Sequence, residues 1–176
     1  MATIQEIFKI IEEARQRGET PDLRKVDLRK ADLRNADLQG VRLAYARLDK
    51  ANLSHANLEN ADLTGANLAQ AKLNFARLSR ANLMGANLAK AILEDADLVE
   101  ANLRNADMRD TDLRRANMVD TTLRGAGLVI SDMQRADLTE ANLVRANLRG
   151  AKVTPEQLEK AKSLKGAVLP DGTIHP

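Results

Sequence analysis

The sequence contains no cysteine and no tryptophan, and only two phenylalanines and one tyrosine. Without cysteine the chain has no disulfide framework, no thiolate metal ligand and no thiol nucleophile. So few aromatic rings supply little for stacking on nucleic-acid bases. No apolar run reaches the roughly 18 residues that a membrane-spanning helix needs, and the N-terminus lacks the basic-then-apolar layout of a signal peptide. These absences predict a soluble, cytoplasmic protein without a membrane segment.

An excess of charge of one sign is also missing, since 27 Lys and Arg residues stand against 25 Asp and Glu residues, a formal net charge of +2. Such a balance favours solubility but does not steer the chain towards DNA or an anionic membrane. In the first repeats the acids alternate with the bases, and opposite charges there would cancel most of the attraction to phosphate. We therefore expect a protein partner, and neither a nucleic-acid nor a membrane partner.

A five-residue phrase recurs from residue 21 to residue 153, as in Ala31–Asn35 and Ala141–Arg145. Leucine stands at residue 23 and at nearly every fifth position to residue 148, and a small residue, usually alanine, precedes it by two positions. Residues two apart in an extended chain point to the same side. Because the period is odd, the chain must bend once in each phrase to return the next pair to the inside. A helix is rejected, because a period of five would spread leucine around the whole cylinder.

This motif, A(D/N)LXX, resembles that of the pentapeptide repeat family over 27 consecutive phrases without an insertion. The resemblance implies an all-β solenoid, a right-handed quadrilateral parallel β-helix with four phrases in each coil and about seven coils in total. One detail agrees with that period. Thr111 and Ser131 are polar residues at inward positions 20 residues apart, which would stack them directly and allow them to share a hydrogen bond.

The repeats are flanked by two segments that we interpret as short α-helical caps. The predicted organisation is an N-terminal helical cap over 1–20, the β-helix over 21–153, and a C-terminal helical cap and tail over 154–176. Thr3 and Glu6 fit a capping box that opens a helix running to about Arg17, and Thr154 opens a second helix running to about Ser163. Capping elements cover the open ends of a repeat core. A partner-binding amphipathic helix is the alternative for the first segment.

The outward positions supply the candidate interaction surface. Its residues are Asp97, Glu100, Asp120, Asp137, Glu140, Tyr45, His55 and Phe75. Acids at intervals of 20 residues would stack in steps of about 5 Å, which suits a cation site or anionic mimicry. The preferred interpretation is a solvated face, partly neutralised by Arg104 and Arg124 on the adjoining face. His55 should lie beside Phe75, with Tyr45 elsewhere, and His55 lacks the second ligand that a metal site needs.

No constellation of residues points to catalysis. Serines and threonines are scattered without a base and an orienting group, and there is no glycine-rich phosphate loop. We expect no enzyme activity, no cofactor and no metal. The predicted function is a non-catalytic structural or protein-interaction module, monomeric rather than homodimeric. The alternative is a DNA-mimicking binder of DNA gyrase, as the family resemblance allows, although mimics of that kind carry strongly acidic surfaces and this chain does not.

Overall fold

The bend that the five-residue period requires is a β-turn in every phrase. In the computed structural model, which describes residues 3–176, the N–H of Ala51 donates to the carbonyl of Leu48 at 3.0 Å. The third residue of this turn, Lys50, has a φ of +61°. A positive φ at that position is the mark of a type II turn. The same turn follows each inward leucine, so the chain changes direction once every five residues.

Parallel β-bridges join residues that are 20 apart, beginning with Asp22 and Arg42 and continuing to Asp132 and Lys152. Four phrases therefore make one coil, and the chain winds as a parallel β-solenoid. Each coil has four turns, which we name by their positions. Corner 1 holds residues 24–25 and their equivalents at intervals of 20, corner 2 holds 29–30, corner 3 holds 34–35 and corner 4 holds 39–40.

The interior consists of leucine columns with alanine beside them. The leucines from Leu33 to Leu148 are at most 1% exposed, and the three methionines that replace leucine are equally buried. Thr111 and Ser131 are also buried, but their predicted shared hydrogen bond is wrong. Each hydroxyl instead donates to the backbone carbonyl three residues earlier, Met108 at 2.6 Å and Leu128 at 2.8 Å. The carbonyl lies within the same turn and so satisfies the buried hydroxyl locally.

Left-handed backbone at the fifth residue of each phrase is the local cost of this winding. Non-glycine residues adopt that conformation uncommonly, and a β-branched residue there is an outlier. Ile130 occupies such a position with a φ of +53° and is 56% exposed. Its strain is held in place by the ladder on either side, where its N–H donates to the carbonyl of Arg149 at 2.9 Å.

We expect Ile130→Asn to raise the free energy of unfolding by about 1 kcal/mol, because asparagine tolerates left-handed backbone and isoleucine does not. The urea midpoint measures the change. The matched control is Ile92→Asn, an exposed isoleucine outside the left-handed turn positions, whose midpoint should move little. A destabilised Ile130→Asn variant would show that the exposed side chain contributes more than its backbone strain costs.

Helix α1, Ile4–Gln16, covers the N-terminal end of the solenoid. Thr3 and Glu6 form the predicted capping box, and Ile7, Ile11 and Ala14 are buried. An ion pair of 2.7 Å joins Arg15 to Asp37 in the first coil. The apolar face of α1 thus replaces the coil that would otherwise precede the first one. Met1 and Ala2 lie outside the described residues.

Helix α2, Pro155–Glu159, interrupts the last coil. Thr154 caps it through Gln157, as predicted, but the helix ends at Glu159 rather than near Ser163. It stops early because the chain returns to the ladder, where Ser163 bridges Asn142 at an offset of 21 instead of 20. The side-chain amide of Gln157 donates to the carbonyls of Met133 and Ala136 at 2.8 and 2.7 Å, which satisfies two groups at the open end of the coil.

The final residues turn back on the last coil. Val168 bridges Ile174 in the antiparallel direction, and the N–H of Leu169 donates to the carbonyl of Thr173 at 2.7 Å. This terminal hairpin pairs with the last coil, where the backbone edge would otherwise be unpaired. Within residues 3–176, no helix is long and apolar enough to cross a membrane.

Candidate functional site

The predicted acidic residues share one side of the solenoid. Glu100, Asp120 and Glu140 stand on corner 4 of successive coils, and Asp97 and Asp137 lie three residues before Glu100 and Glu140. All five are at outward positions. The backbone keeps this column in register, since the N–H of Glu100 donates to the carbonyl of the residue before Asp120 at 3.0 Å.

This acidic ladder has its own partners. Glu100 pairs with Arg80 one coil earlier, through bonds of 3.0 and 3.1 Å that hold the pKa of its carboxyl below the ordinary value. Asp97 accepts a hydrogen bond of 2.7 Å from the hydroxyl of Ser79, and Asp137 accepts one of 2.6 Å from Thr139. Sequence analysis missed Arg80 as the neutralising residue, although it lies 20 positions before Glu100.

The arginines named as neutralising groups, Arg104 and Arg124, form no ion pair with any carboxylate among residues 3–176. Corner 1, where they stand, is a different turn of the coil from corner 4. In the same part of the chain, no group of three or more histidine, aspartate or glutamate side chains is arranged to hold a metal ion. Three carboxylates of the acidic ladder, those of Asp97, Glu100 and Asp137, are thus held by separate partners.

The aromatic residues divide between two corners. His55 and Phe75 stack on corner 3 with ring centroids 4.9 Å apart and an interplanar angle of 5°, as the column spacing predicted. Tyr45 lies on corner 1, where its ring covers Gly65 so closely that a Cβ built on Gly65 would be 2.6 Å from the tyrosine Cε1. The two aromatic groups and the acidic ladder therefore occupy three corners and do not form one continuous surface.

Arginine is neutralised locally at five places by an aspartate two residues earlier. Asp27, for example, receives the guanidinium of Arg29 at 2.6 Å, and the same arrangement joins Asp22 to Arg24 at 2.5 Å. The hydrogen bond from the arginine lowers the pKa of Asp22 and of Asp27 to about 2, and it lowers the pKa of the other three aspartates as well. The pairs form because residues two apart flank the inward leucine on the outer surface, one on the side and one at the corner.

Folding stability should fall as the pH drops from about 4 to about 2, because these carboxylates are ionised more readily in the folded chain than in the unfolded one. Their stabilising effect is present above the ordinary pKa of 3.8 and is lost as the pH falls through about 2. Asp22→Asn with Asp27→Asn should reduce this drop, measured as the thermal midpoint at each pH. Asp110→Asn with Asp120→Asn removes two exposed carboxylates that have no arginine partner among residues 3–176, and this variant should show the same drop as the wild type.

The regular phrases decide the family. The family described as pentapeptide repeats matches residues 22–60, 51–89, 61–98, 91–128 and 116–154. The chain belongs to the pentapeptide repeat family. Among solved structures, this pentapeptide repeat protein is similar to HetL, a member of the same family that is involved in heterocyst differentiation regulation in the cyanobacterium Nostoc sp. strain PCC 7120. The two chains are 40% identical with a TM-score of 0.84, over 88% of this chain and 70% of HetL.

Two further solved structures are also similar. A pentapeptide repeat protein from the Arabidopsis thaliana thylakoid lumen is 35% identical over 53% of this chain and 68% of its own, with a TM-score of 0.44. QnrB1, a plasmid-mediated fluoroquinolone resistance protein, is 16% identical over 88% of this chain and 85% of its own, with a TM-score of 0.35. No curated protein matches this chain.

Proposed function

We propose that this pentapeptide repeat protein is a non-catalytic protein-interaction module, built as a right-handed quadrilateral β-helix of about seven coils. The observation that carries the proposal is the alignment of outward side chains in columns, one coil above the next, on a backbone bonded through every coil. A surface that is already ordered loses little conformational freedom on binding. The module acts as a monomer, since α1 covers one end of its core and α2 with the terminal hairpin covers the other.

The similarity to HetL supports a regulatory role for such a module. HetL is involved in the regulation of a differentiation process. A module that regulates by binding suits a partner protein whose state changes on complex formation. On this proposal the irregular outward residues carry the specificity, because the repeated inward residues serve folding.

Capture of a partner tests the proposal. The purified protein is immobilised and exposed to extract from its own cells, and the retained protein is then purified and titrated by calorimetry. A saturable complex of fixed stoichiometry is the expected result. A core variant such as Met118→Leu, which keeps the outer columns, should bind equally well. Absence of any saturable partner from extracts of cells that express the protein would contradict the proposal.

The alternative, a DNA-mimicking modulator of DNA gyrase, predicts a different result. We expect the purified protein to leave a gyrase supercoiling assay unchanged, because a DNA mimic needs continuous negative potential and Glu100 of the acidic ladder is paired with Arg80. The interleaved charges sum to +2 over the whole chain. Inhibition at micromolar concentration or below would favour the alternative. The charge-reversal variants Asp97→Lys and Asp120→Lys would then locate the surface responsible.

A further inference from the structure

Arginine pairing is uneven along the chain. Twelve of the 17 arginines lie within 4 Å of a carboxylate, and every arginine up to Arg80 is among them. Of the residues that the structure describes, five arginines make no such pair. They are Arg104, Arg124, Arg135, Arg145 and Arg149. All five stand in the C-terminal half, where neutralisation of arginine within the chain ceases to be the rule.

For Arg104 and Arg124 the reason is visible two residues earlier in the chain. Asp107 pairs with Arg109 at 2.6 Å, and the same spacing with aspartate gives a pair wherever it occurs before an arginine. Arg104 follows Asn102 and Arg124 follows Thr122. A neutral residue at that place leaves the guanidinium exposed and uncompensated. Asn102 and Thr122 both lie on the side of the coil that precedes corner 1.

Three of the exposed arginines lie on corner 1. Arg104, Arg124 and Lys165 occupy the first position of the corner on their coils, and Arg145 occupies the second position on the coil between Arg124 and Lys165. We call these four residues the cationic ladder. The backbone sets their spacing, because the N–H of Asn105 donates to the carbonyl of Arg124 at 3.0 Å and that of Arg145 donates to Lys165 at 3.0 Å. Successive coils are separated by the distance between neighbouring strands, about 4.8 Å.

Corner 1 also contains no acidic residue from its first turn at 24–25 to its last at 165–166. At the end of the ladder, a surface cleft of about 530 Å³ opens between the last coils and the terminal hairpin. Its lining includes Arg124, Arg145, Lys165 and His175, and no aspartate or glutamate. The positive charge is therefore concentrated on one edge of the rod and has no counter-charge in that cleft.

We infer that the cationic ladder binds the acidic face of a helix in a partner protein. This rests on the proposed interaction function and names the chemistry of the partner. On a helix, acids at i, i+4, i+7 and i+11 share one face and rise about 5.4 Å for each turn, close to the coil spacing of about 4.8 Å. Same-face residues of an extended strand are about 6.6 Å apart and would lose register with the ladder sooner.

A nucleic acid fits this edge less well than a helix. Corner 4, adjacent to corner 1, carries Asp120 and Glu140 on the same coils as the ladder, and a duplex with a charge about every 1.7 Å would meet their repulsion. An α-helix is about 10 Å across and can lie along corner 1 alone. Tyr45 and Met84 extend the same corner towards the N-terminus with exposed apolar surface, which suits an amphipathic helix.

The probe is a fluorescently labelled, alanine-based peptide of about 16 residues, long enough to be helical in water, with Glu at i, i+4, i+7 and i+11. A second peptide carries Gln at those positions. Anisotropy titrations at low salt measure binding, because screening weakens exposed charge pairs. The wild-type protein should bind the Glu peptide at least about 10-fold more tightly than the Gln peptide, since four charge pairs distinguish them.

Two double variants of equal net charge separate the ladder from general electrostatics. Asn102→Asp with Thr122→Asp supplies the missing internal partners of Arg104 and Arg124, and should lower affinity for the Glu peptide about 10-fold. Arg109→Gln with Arg114→Gln removes two arginines that are already paired, and should change it less than about 2-fold. Arg104→Gln with Arg124→Gln removes the ladder directly and must agree with the first variant. Circular dichroism checks that each variant is folded.

Several outcomes overturn the inference. Equal affinities for the Glu and Gln peptides would show that the cationic ladder on corner 1 does not recognise carboxylates. Equal losses in the two charge-matched variants would assign binding to net charge alone. Tighter binding of a duplex DNA of the same length, weakened by the same substitutions, would make the partner a nucleic acid. If Arg104→Gln with Arg124→Gln still captures the cellular partner, the interaction function stands and this surface is not its docking site. Failure of every form to capture a partner removes the proposed function itself.

Discussion

Leu83→Ala is expected to lower the free energy of unfolding by about 2–5 kcal/mol, because truncation of a buried leucine removes its transfer energy and leaves a cavity. Leu83 is 1% exposed at the middle of the rod. In the same column Leu63 and Leu103, one coil before and one coil after, are fully buried. The ladder bonds hold the coils at a fixed separation, so the neighbours have little freedom to collapse into the space.

The adjacent residue provides the control. Met84 is 40% exposed, and Met84→Ala deletes a side chain of similar size from the outer surface. Its effect should stay within about 0.5 kcal/mol. The urea midpoints of both variants, monitored by far-ultraviolet circular dichroism, give the comparison. Equal urea midpoints for the two variants would refute the placement of Leu83 in the interior and of Met84 on the surface.

Ile11→Asp should be comparably damaging, at about 3–5 kcal/mol, because it removes a buried apolar side chain and places a carboxylate against the core. Ile11 is 3% exposed and belongs to the same cluster as Leu23 and Leu28 of the first coil. In a solenoid each coil is stabilised by its neighbours, so loss of the cap exposes the first coil and weakens the next. Amide exchange should therefore quicken first at the N-terminal end.

The matched substitution lies one residue away in the same helix. Ile10 is 41% exposed. Ile10→Asp therefore introduces the same charge at the neighbouring position of α1 without placing a carboxylate against the core. We expect its urea midpoint to remain close to wild type. Similar losses for both variants would mean that α1 contributes through its charge or its helicity rather than through its apolar face.

Much of this architecture follows from the sequence because one constraint repeats. A leucine every fifth residue, with a small residue two positions earlier, requires a turn in each phrase, and the turn recurs without exception. The N-terminal helical cap was equally predictable, since Thr3 and Glu6 hydrogen-bond each other's backbone N–H groups within four residues. These features depend on near neighbours, and local chemistry determines them.

Features that depend on distant residues were harder to anticipate. The second helix ends at Glu159 because the N–H of Lys162 donates to Ala141 in the previous coil, and nothing near Ser163 signals this. Thr111 had a backbone carbonyl in reach, which pattern reasoning does not weigh. The pairing of Glu100 with Arg80 was within reach, since residues 20 apart share a column. For Arg104 and Arg124 of the cationic ladder, the signal in the sequence was a neutral residue, Asn102 or Thr122, at the position two before the arginine.

The inward positions of this rod repeat every five residues, whereas its outward columns repeat every 20 residues. Any insertion of five residues returns leucine to the inside, because every phrase is equivalent there. Only an insertion of 20 residues returns the outward columns to their places. Duplication of a single phrase during evolution would thus keep the chain foldable while turning everything beyond it by a quarter of a revolution. Such a protein can change which surfaces it presents without passing through an unfolded ancestor.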